Sequence, residues 1–310
     1  MNDLSRLRPG RPGPVPLRVV LVGPGGLGAV EREADRVGRL LADRGHEVSR
    51  RLASREDWGE GRYTADGMPP SDLVVVLGGD GSILRTARWL GYRQLPVLGV
   101  NLGALGFLAG VSTDEVAAAI DDIALGRFRL VDHLLFECEL VRGGAVVHRQ
   151  LGLNEASVLA GPPFTMIEIQ LLVDGDLATS HRADGMIVAT PVGSTAYSLS
   201  AGGPIVRKDL DAFVFTPLNP HTLTNRPVVE SAARTYELLV PRPNPGSCCV
   251  VDGRVVAPLE PGDRVRIRRA EPRFTLMEVG GHGYYRTLRE KLGWGMGLRA
   301  ADAAAGGATS

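Results

Sequence analysis

Gly78-Gly79-Asp80-Gly81-Ser82 closes a continuous apolar run and sets one carboxylate among glycines. Glycines let backbone N–H groups converge on phosphate oxygens at a helix N-terminus, whereas a carboxylate in the same loop repels phosphate. Asp80 therefore needs another task. It could accept the proton of an attacking hydroxyl or place a metal on the phosphates, and phosphoryl transfer requires both services. On that reading the N–H groups of Gly78, Gly79 and Gly81 stay free for phosphate oxygens and offset the charge of Asp80. The plainer alternative is a tight turn in which Asp80 caps the next helix.

A second loop, Gly23-Pro24-Gly25-Gly26-Leu27-Gly28, satisfies G-x-G-x-x-G between a strand and a helix. The dinucleotide signature also needs an acid at the end of the second strand. The strand after His46 ends instead in Arg50 and Arg51, with Glu56 and Asp57 beyond, so a small-residue βα turn is the favoured reading. A third segment runs from Asp184 to Pro204. Its strand, Met186 to Ala189, breaks at Thr190-Pro191 into crowded hydroxyls and small residues with Tyr197 among them, a surface suited to a nucleoside. Ser194 is a poor candidate nucleophile, because G-x-S-x-G and a local histidine are both missing. Lys208 and Lys291 are the only lysines, and neither follows a suitable glycine loop, which removes a Walker A site.

Taken in order, these residues resemble the NAD kinase family, which phosphorylates the 2′-hydroxyl of the adenosine ribose of NAD to give NADP. The resemblance covers roughly residues 72–294. It is carried by Gly78 to Ser82, Asn101-Leu102-Gly103-Ala104-Leu105-Gly106-Phe107-Leu108, Leu153-Asn154-Glu155, Asp184 to Pro204, Thr216 to Leu223 with Arg226-Pro227, and Leu288 to Trp294. It implies Asp80 as proton acceptor and Gly81 in backbone contact with substrate, beside a phosphate loop of Gly78, Gly79, Gly81 and Ser82. Phe107 would pack near the NAD adenine, and Asn154 and Glu155 would hold ribose hydroxyls. Asp184 would meet the other end of the dinucleotide. Thr195, Ala196, Tyr197, Ser198, Leu199 and Ser200 would line the adenine pocket. Arg182 would reach phosphates or a neighbouring subunit's site, with Asn219 and Arg254 as peripheral contacts. Val192 stands where the family usually has Thr or Ser, which would remove a hydroxyl from the nucleoside. Taken singly, Asn154-Glu155 could be a turn pair, Phe107 a core aromatic and His221 a buried histidine between prolines.

The elements that must carry these loops are legible in the periodicity. Leu17 to Gly23, Asp72 to Leu77 and Pro96 to Val100 read as buried parallel strands, alternating with helical spacing over Ala29 to Arg44, Ile83 to Leu90 and Thr113 to Leu125. From about Arg127 the texture becomes antiparallel β, with hairpin signals at Gly143-Gly144, Asp174-Gly175 and Asp252-Gly253. The expected organisation is an α/β nucleotide-binding domain with a parallel sheet over 1–126 and a β-rich NAD-binding domain over 127–282. A C-terminal helix over 283–298 returns to the first domain, and 299–310 is a disordered tail.

Composition bounds the partners. The 310 residues carry 35 basic and 35 acidic side chains, a balance that gives no strongly positive field for nucleic acid or an anionic membrane. Cys138, Cys248 and Cys249 have no His or further Cys at metal-ligand spacing and read as reduced core residues. No signal core or membrane span is evident, so a cytoplasmic location is expected. The expected substrates are NAD and ATP, with Mg²⁺ carried by the ATP and no metal site of the protein's own, in a homo-oligomer. The competing readings are a lipid or sphingoid-base kinase sharing the G-G-D-G loop, a nicotinamide-dependent oxidoreductase using Gly23 to Gly28, and a nucleotide-sensing module that binds NAD without turnover.

Overall fold

The computed structural model describes residues 7, 16–54, 68–103, 106–163, 165–222, 226–280 and 284–293. The expected tail at 299–310, the expected helix beyond 293, Glu56 and Asp57, and Ala104, Leu105, Leu223 and Trp294 of the quoted motifs lie outside those residues.

The first third winds strands and helices in alternation: β1 (Arg18–Pro24), α1 (Gly28–Ala42), β2 (Glu47–Ala53), β3 (Leu73–Leu77), α2 (Asp80–Leu90), β4 (Val97–Asn101), β5 (Val111–Ser112) and α3 (Val116–Ala124). Strands β2, β1, β3 and β4 pair in parallel in that order. Their continuous apolar runs are explained by burial on both faces. Leu21, Val75 and Leu98 pack with Val37 of α1 and Ile120 of α3, whereas Val20, Val22 and Val76 pack with Ile83 and Ala87 of α2. The α3 helix starts later than its periodicity suggested, because Thr113–Glu115 form a 3-10 turn stapled by the Ser112/Glu115 capping box.

The rest is antiparallel: β6 (Phe128–Arg142), β7 (Ala145–Gly152), β8 (Glu155–Leu159), β9 (Ile167–Val173), β10 (Asp176–Ala183), β11 (Gly185–Ala189), a short helix α4 (Tyr197–Ser200), β12 (Ala212–Leu218), β13 (Val228–Ser231), β14 (Tyr236–Val240), β15 (Cys248–Val251), β16 (Arg254–Pro258), β17 (Asp263–Val279) and helix α5 (Tyr284–Leu292). The hairpin signals are realised: Asp174-Gly175, Gly143-Gly144 and Asp252-Gly253 all take positive φ, the geometry that matches the twist of the flanking strands. Strands β13-β12-β11-β8-β15-β16 form a second sheet. Phe136, Ile267 and Tyr236 from the first sheet meet Val188, Phe213 and Phe215 from the second to make the core between them.

One sheet runs across the boundary expected at 126/127. The 17-residue β17 pairs with β14 and β6 and also lies parallel to β4 through Leu276 and Val97. The α5 helix returns towards the first third, where Lys291 Nζ lies 5.9 Å from the Phe107 ring centroid. Cys138 and Cys249 are free and buried in the inter-sheet core, their Sγ atoms 3.9 Å apart. Because β17 belongs to both halves, they should unfold together. Phe274→Ala, which empties a fully buried ring site on β17, should cost about 3 to 5 kcal/mol in one urea transition. Two separated transitions would show independent halves.

Candidate active site

Strand order locates the crevice. Around β1 the neighbours β2 and β3 lie on opposite sides, and ligands of such sheets bind beyond the strand ends at this reversal. The loops that leave β1 and β3 there are Gly23 to Gly28 and Gly78 to Ser82.

The first of these is closed on itself. Gly25 N–H donates to Ala53 O at 2.5 Å and Gly26 N–H to the Glu31 carboxylate at 3.2 Å, so an acid of α1 already occupies the helix end. Strand β2 ends in Arg51-Leu52-Ala53 with no ribose-binding acid. The small-residue βα turn is what the structure shows.

In the second loop Asp80 is the first residue of α2 and does not cap it, since Gly79 holds the N-cap position. Its carboxylate crosses to the neighbouring loop. Oδ2 accepts from Phe107 N–H at 2.7 Å, and Oδ1 from Leu108 and Ala109 N–H at 3.0 and 3.1 Å. A carboxylate has about four acceptor positions, so roughly one remains open to a further donor. A Cβ on Gly106 would run into the Asp80 carboxylate, which requires glycine there. The expectation that the loop's own glycines neutralise Asp80 is corrected: residues 107–109 do so, and Gly78 N–H is committed to Val100 O at 2.9 Å. Gly79 and Gly81 are exposed, with open space where a Cβ would stand. The N–H groups of Asp80 and Gly81 are first-turn donors that a helix leaves without internal acceptors. Ser82 is buried beneath Gly78.

A second carboxylate repeats the device. Asp252, in the β15–β16 turn, accepts from Leu153 N–H at 2.9 Å, Asn154 N–H at 2.8 Å and Glu155 N–H at 3.2 Å. Burial pushes its carboxyl up, while those amides and Arg88 of α2 pull it down. Sequence reading missed Asp252 as a site residue, because only the Asp252-Gly253 hairpin signal marked it. The Asn154 turn is also tied to the segment that follows β11. Thr190 N–H donates to Asn154 O at 2.8 Å, Thr190 Oγ1 to Leu153 O at 2.6 Å, and Gly193 packs on the Asn154 backbone where no Cβ fits. One apolar cluster containing Ile83, Ala87, Leu153 and Val192 then sets α2 against this turn.

Val192 is 3% exposed in that cluster, where an apolar side chain replaces the Thr or Ser usual in the family. Ser194 Oγ is buried and engaged with Pro191 O and Val206 N–H, so it is no nucleophile. In the segment that follows β11, Ser198 Oγ pairs with Thr216 Oγ1 at 2.9 Å, Thr195 Oγ1 donates to Val192 O, and Tyr197 and Ser200 are exposed. Arg254 follows the Asp252-Gly253 turn, close enough for its charge to act on Arg88.

Asp184 and Asn219 pair with each other at 2.9 Å at the opposite end of β11 from Thr190. The five residues of β11 separate Asp184 from Thr190 by about 20 Å. Arg182 lines a cleft of about 650 Å³ with His181, His221 and Glu230. His221 is exposed there, not buried between its prolines.

Glu155 is buried, with Oε2 lacking a hydrogen-bond partner. Burial, and then the Asp252 charge, push its carboxyl up to about 8 from 4.5. The folded protein thus holds a proton that the unfolded chain releases, so this group's stabilisation is full below about pH 4.5 and is lost as pH rises towards 8. Glu155→Gln should gain about 3 kcal/mol over the parent on going from about pH 5 to about pH 8, read by urea unfolding at both. A pH-independent difference would mean a solvated carboxyl.

Residues 35–128 match the family model described as the ATP-NAD kinase N-terminal domain, and residues 153–279 the ATP-NAD kinase C-terminal domain. An NAD kinase of Rhodopirellula baltica is 53% identical over 223 residues, 72% of each chain. One from Thiobacillus denitrificans is 37% identical over 273 residues, covering 87% of this chain and 94% of its own. An Archaeoglobus fulgidus NAD kinase solved with ATP superposes with a TM-score of 0.68 at 28% identity, over 89% of this chain and 98% of that one. Yeast NADH kinase solved with NADH shares the fold, with a TM-score of 0.80 at 24% identity over 92% and 90% of the two chains. These matches set aside the lipid-kinase and oxidoreductase readings, and the chain belongs to the NAD kinase family of phosphotransferases.

Proposed function

We propose that the chain transfers the γ-phosphoryl group of ATP to the 2′-hydroxyl of the adenosine ribose of NAD, with Asp80 orienting that hydroxyl and accepting its proton. The observation that carries this is the Asp80 carboxylate, pinned by three amides beside the crevice with one side left to a substrate. A ribose hydroxyl is a poor nucleophile at neutral pH, and phosphoryl transfer depends on in-line placement and charge stabilisation. The N-terminal amides of α2, at Asp80 and Gly81, face the transferred phosphoryl group, with Gly78, Gly79 and Ser82 shaping their loop.

Asn154 and Glu155 hold the ribose hydroxyls. A Glu155 carboxyl raised to about 8 is largely protonated at neutral pH, so it both donates to and accepts from a diol. Phe107 and the segment from Thr195 to Ser200 border the adenine, with Arg254 at the periphery. Among the described residues no group of three or more His, Cys, Asp or Glu is placed to hold a metal. On this reading Mg²⁺ travels with ATP, whose phosphates supply hard oxygen ligands. Incubation with NAD, ATP and Mg²⁺ should yield NADP. Asp80→Asn should lower turnover by about 10² to 10⁴ with NAD affinity little changed, and turnover within a few-fold of the parent would remove Asp80 from the chemical step.

The chain also works as a homo-oligomer on this reading. Val228 and Val229 are 50% and 47% exposed on the edge strand β13, and such an edge needs covering. Asp184, Asn219 and Arg182, at the far end of β11, would then serve either the distant end of NAD or a neighbouring copy's site. Sedimentation at micromolar concentration should show a dimer or tetramer, and a fully active monomer would end this proposal. A cytoplasmic location belongs to the same proposal, and no described helix is long and apolar enough to cross a membrane.

A further inference from the structure

Lys208 lies between the nucleoside segment and β12, where no lysine motif placed it. Its Nζ donates to the Phe107 carbonyl oxygen at 2.6 Å and stands 5.8 Å from the centroid of the Tyr284 ring on α5. The Phe107 carbonyl and the Leu108 N–H are two ends of one planar peptide group. That N–H is the one donated to Asp80 Oδ1 at 3.0 Å. An ammonium at the oxygen end polarises the peptide and strengthens its N–H as a donor, as in any chain of linked hydrogen bonds. Ammonium, peptide and carboxylate therefore lie in one polarised series.

We propose that Lys208 is a positioning residue for phosphoryl transfer: through the 107–108 peptide it holds the Phe107 loop on Asp80 and so fixes the carboxylate face offered to the substrate hydroxyl. The proposal rests on the role given to Asp80 and adds a residue outside the family's sequence motifs quoted above.

The charged and titratable groups around Lys208 come from every neighbouring element. Asp80 on α2 and Glu278 on β17 favour its charged form, and burial, the larger influence, opposes it. Tyr284 covers it from α5, and Lys291 of the same helix lies 5.9 Å from the Phe107 ring centroid. His133 on β6 has Nδ1 3.4 Å from the Lys208 carbonyl oxygen, and burial holds its ring neutral, with a pKa of about 4. Arg207 and Asp209 on either side pair with each other. Lys208 thus loses its proton at a lower pH than an ordinary lysine. Arginine would remain charged throughout.

NADP formation is measured from about pH 6 to about pH 10 for the parent, Lys208→Met, Lys208→Arg, Asp80→Asn and the Lys208→Met/Asp80→Asn double variant, with thermal unfolding of each. Lys208→Met should lower kcat about tenfold to a hundredfold, with KM for NAD within about twofold. Lys208→Arg should recover most of kcat and extend activity to higher pH. Lys208→Met should add almost nothing in the Asp80→Asn background, because the two act in series. A kcat within about twofold in Lys208→Met, or an equal loss with and without Asp80, would reduce Lys208 to packing. Should Lys208→Met not fold, an alkaline limb left unmoved by Lys208→Arg overturns the proposal. Undiminished turnover in Asp80→Asn would show that the Asp80 assignment itself had failed, and Lys208 with it.

Discussion

Three successive backbone N–H groups, at Phe107, Leu108 and Ala109, close on the Asp80 carboxylate, and the rest of the site is arranged around that contact. It fixes the first turn of α2 relative to the loop after β4, which explains why Gly106 must lack a side chain. The charge of Asp80 is met by amides from a different segment, which leaves the first N–H groups of α2 without internal acceptors.

Asp252 gathers the N–H groups of Leu153, Asn154 and Glu155 in the same way. Two carboxylates thus each organise a three-residue run of backbone, and a shared apolar cluster sets the two runs together. Glu155, next to these amides, is buried with one oxygen unpartnered, and the low dielectric that strengthens the Asp252 contacts raises the cost of its charged form. A buried polar atom without a partner is costly, and a hydrogen bond from a bound group would offset that cost.

The arginine-rich composition has a structural outlet away from the crevice. On the face of β7, β6, β17 and β14, Arg149 and Arg266 hold Glu139, Arg264 and Arg266 hold Glu237, and Arg268 holds Glu137. Opposite charges facing each other across strands stabilise the pairing and keep register. The neutral total charge conceals this ordered alternation.

Secondary structure was legible in the sequence because it follows from local periodicity. The β1, β3 and β4 runs, the three hairpin turns and α5 fall where alternation and turn chemistry place them, and the glycine-flanked Asp80 stands out from the text alone. Residue order also sufficed for the family, since several motifs recur in series. What the sequence could not decide was pairing between distant segments. That β17 would join both halves in one sheet depends on a strand 17 residues long finding β4 and β6 at once. That Asp80 would be held by residues 107–109, that Val192 would face the core, and that Lys208 would meet the Phe107 carbonyl are likewise consequences of packing. Separations of 27 to 101 residues carry no periodic signal. Hydrogen-bond partners at that range are selected by which surfaces the core brings together, and only the folded chain specifies them.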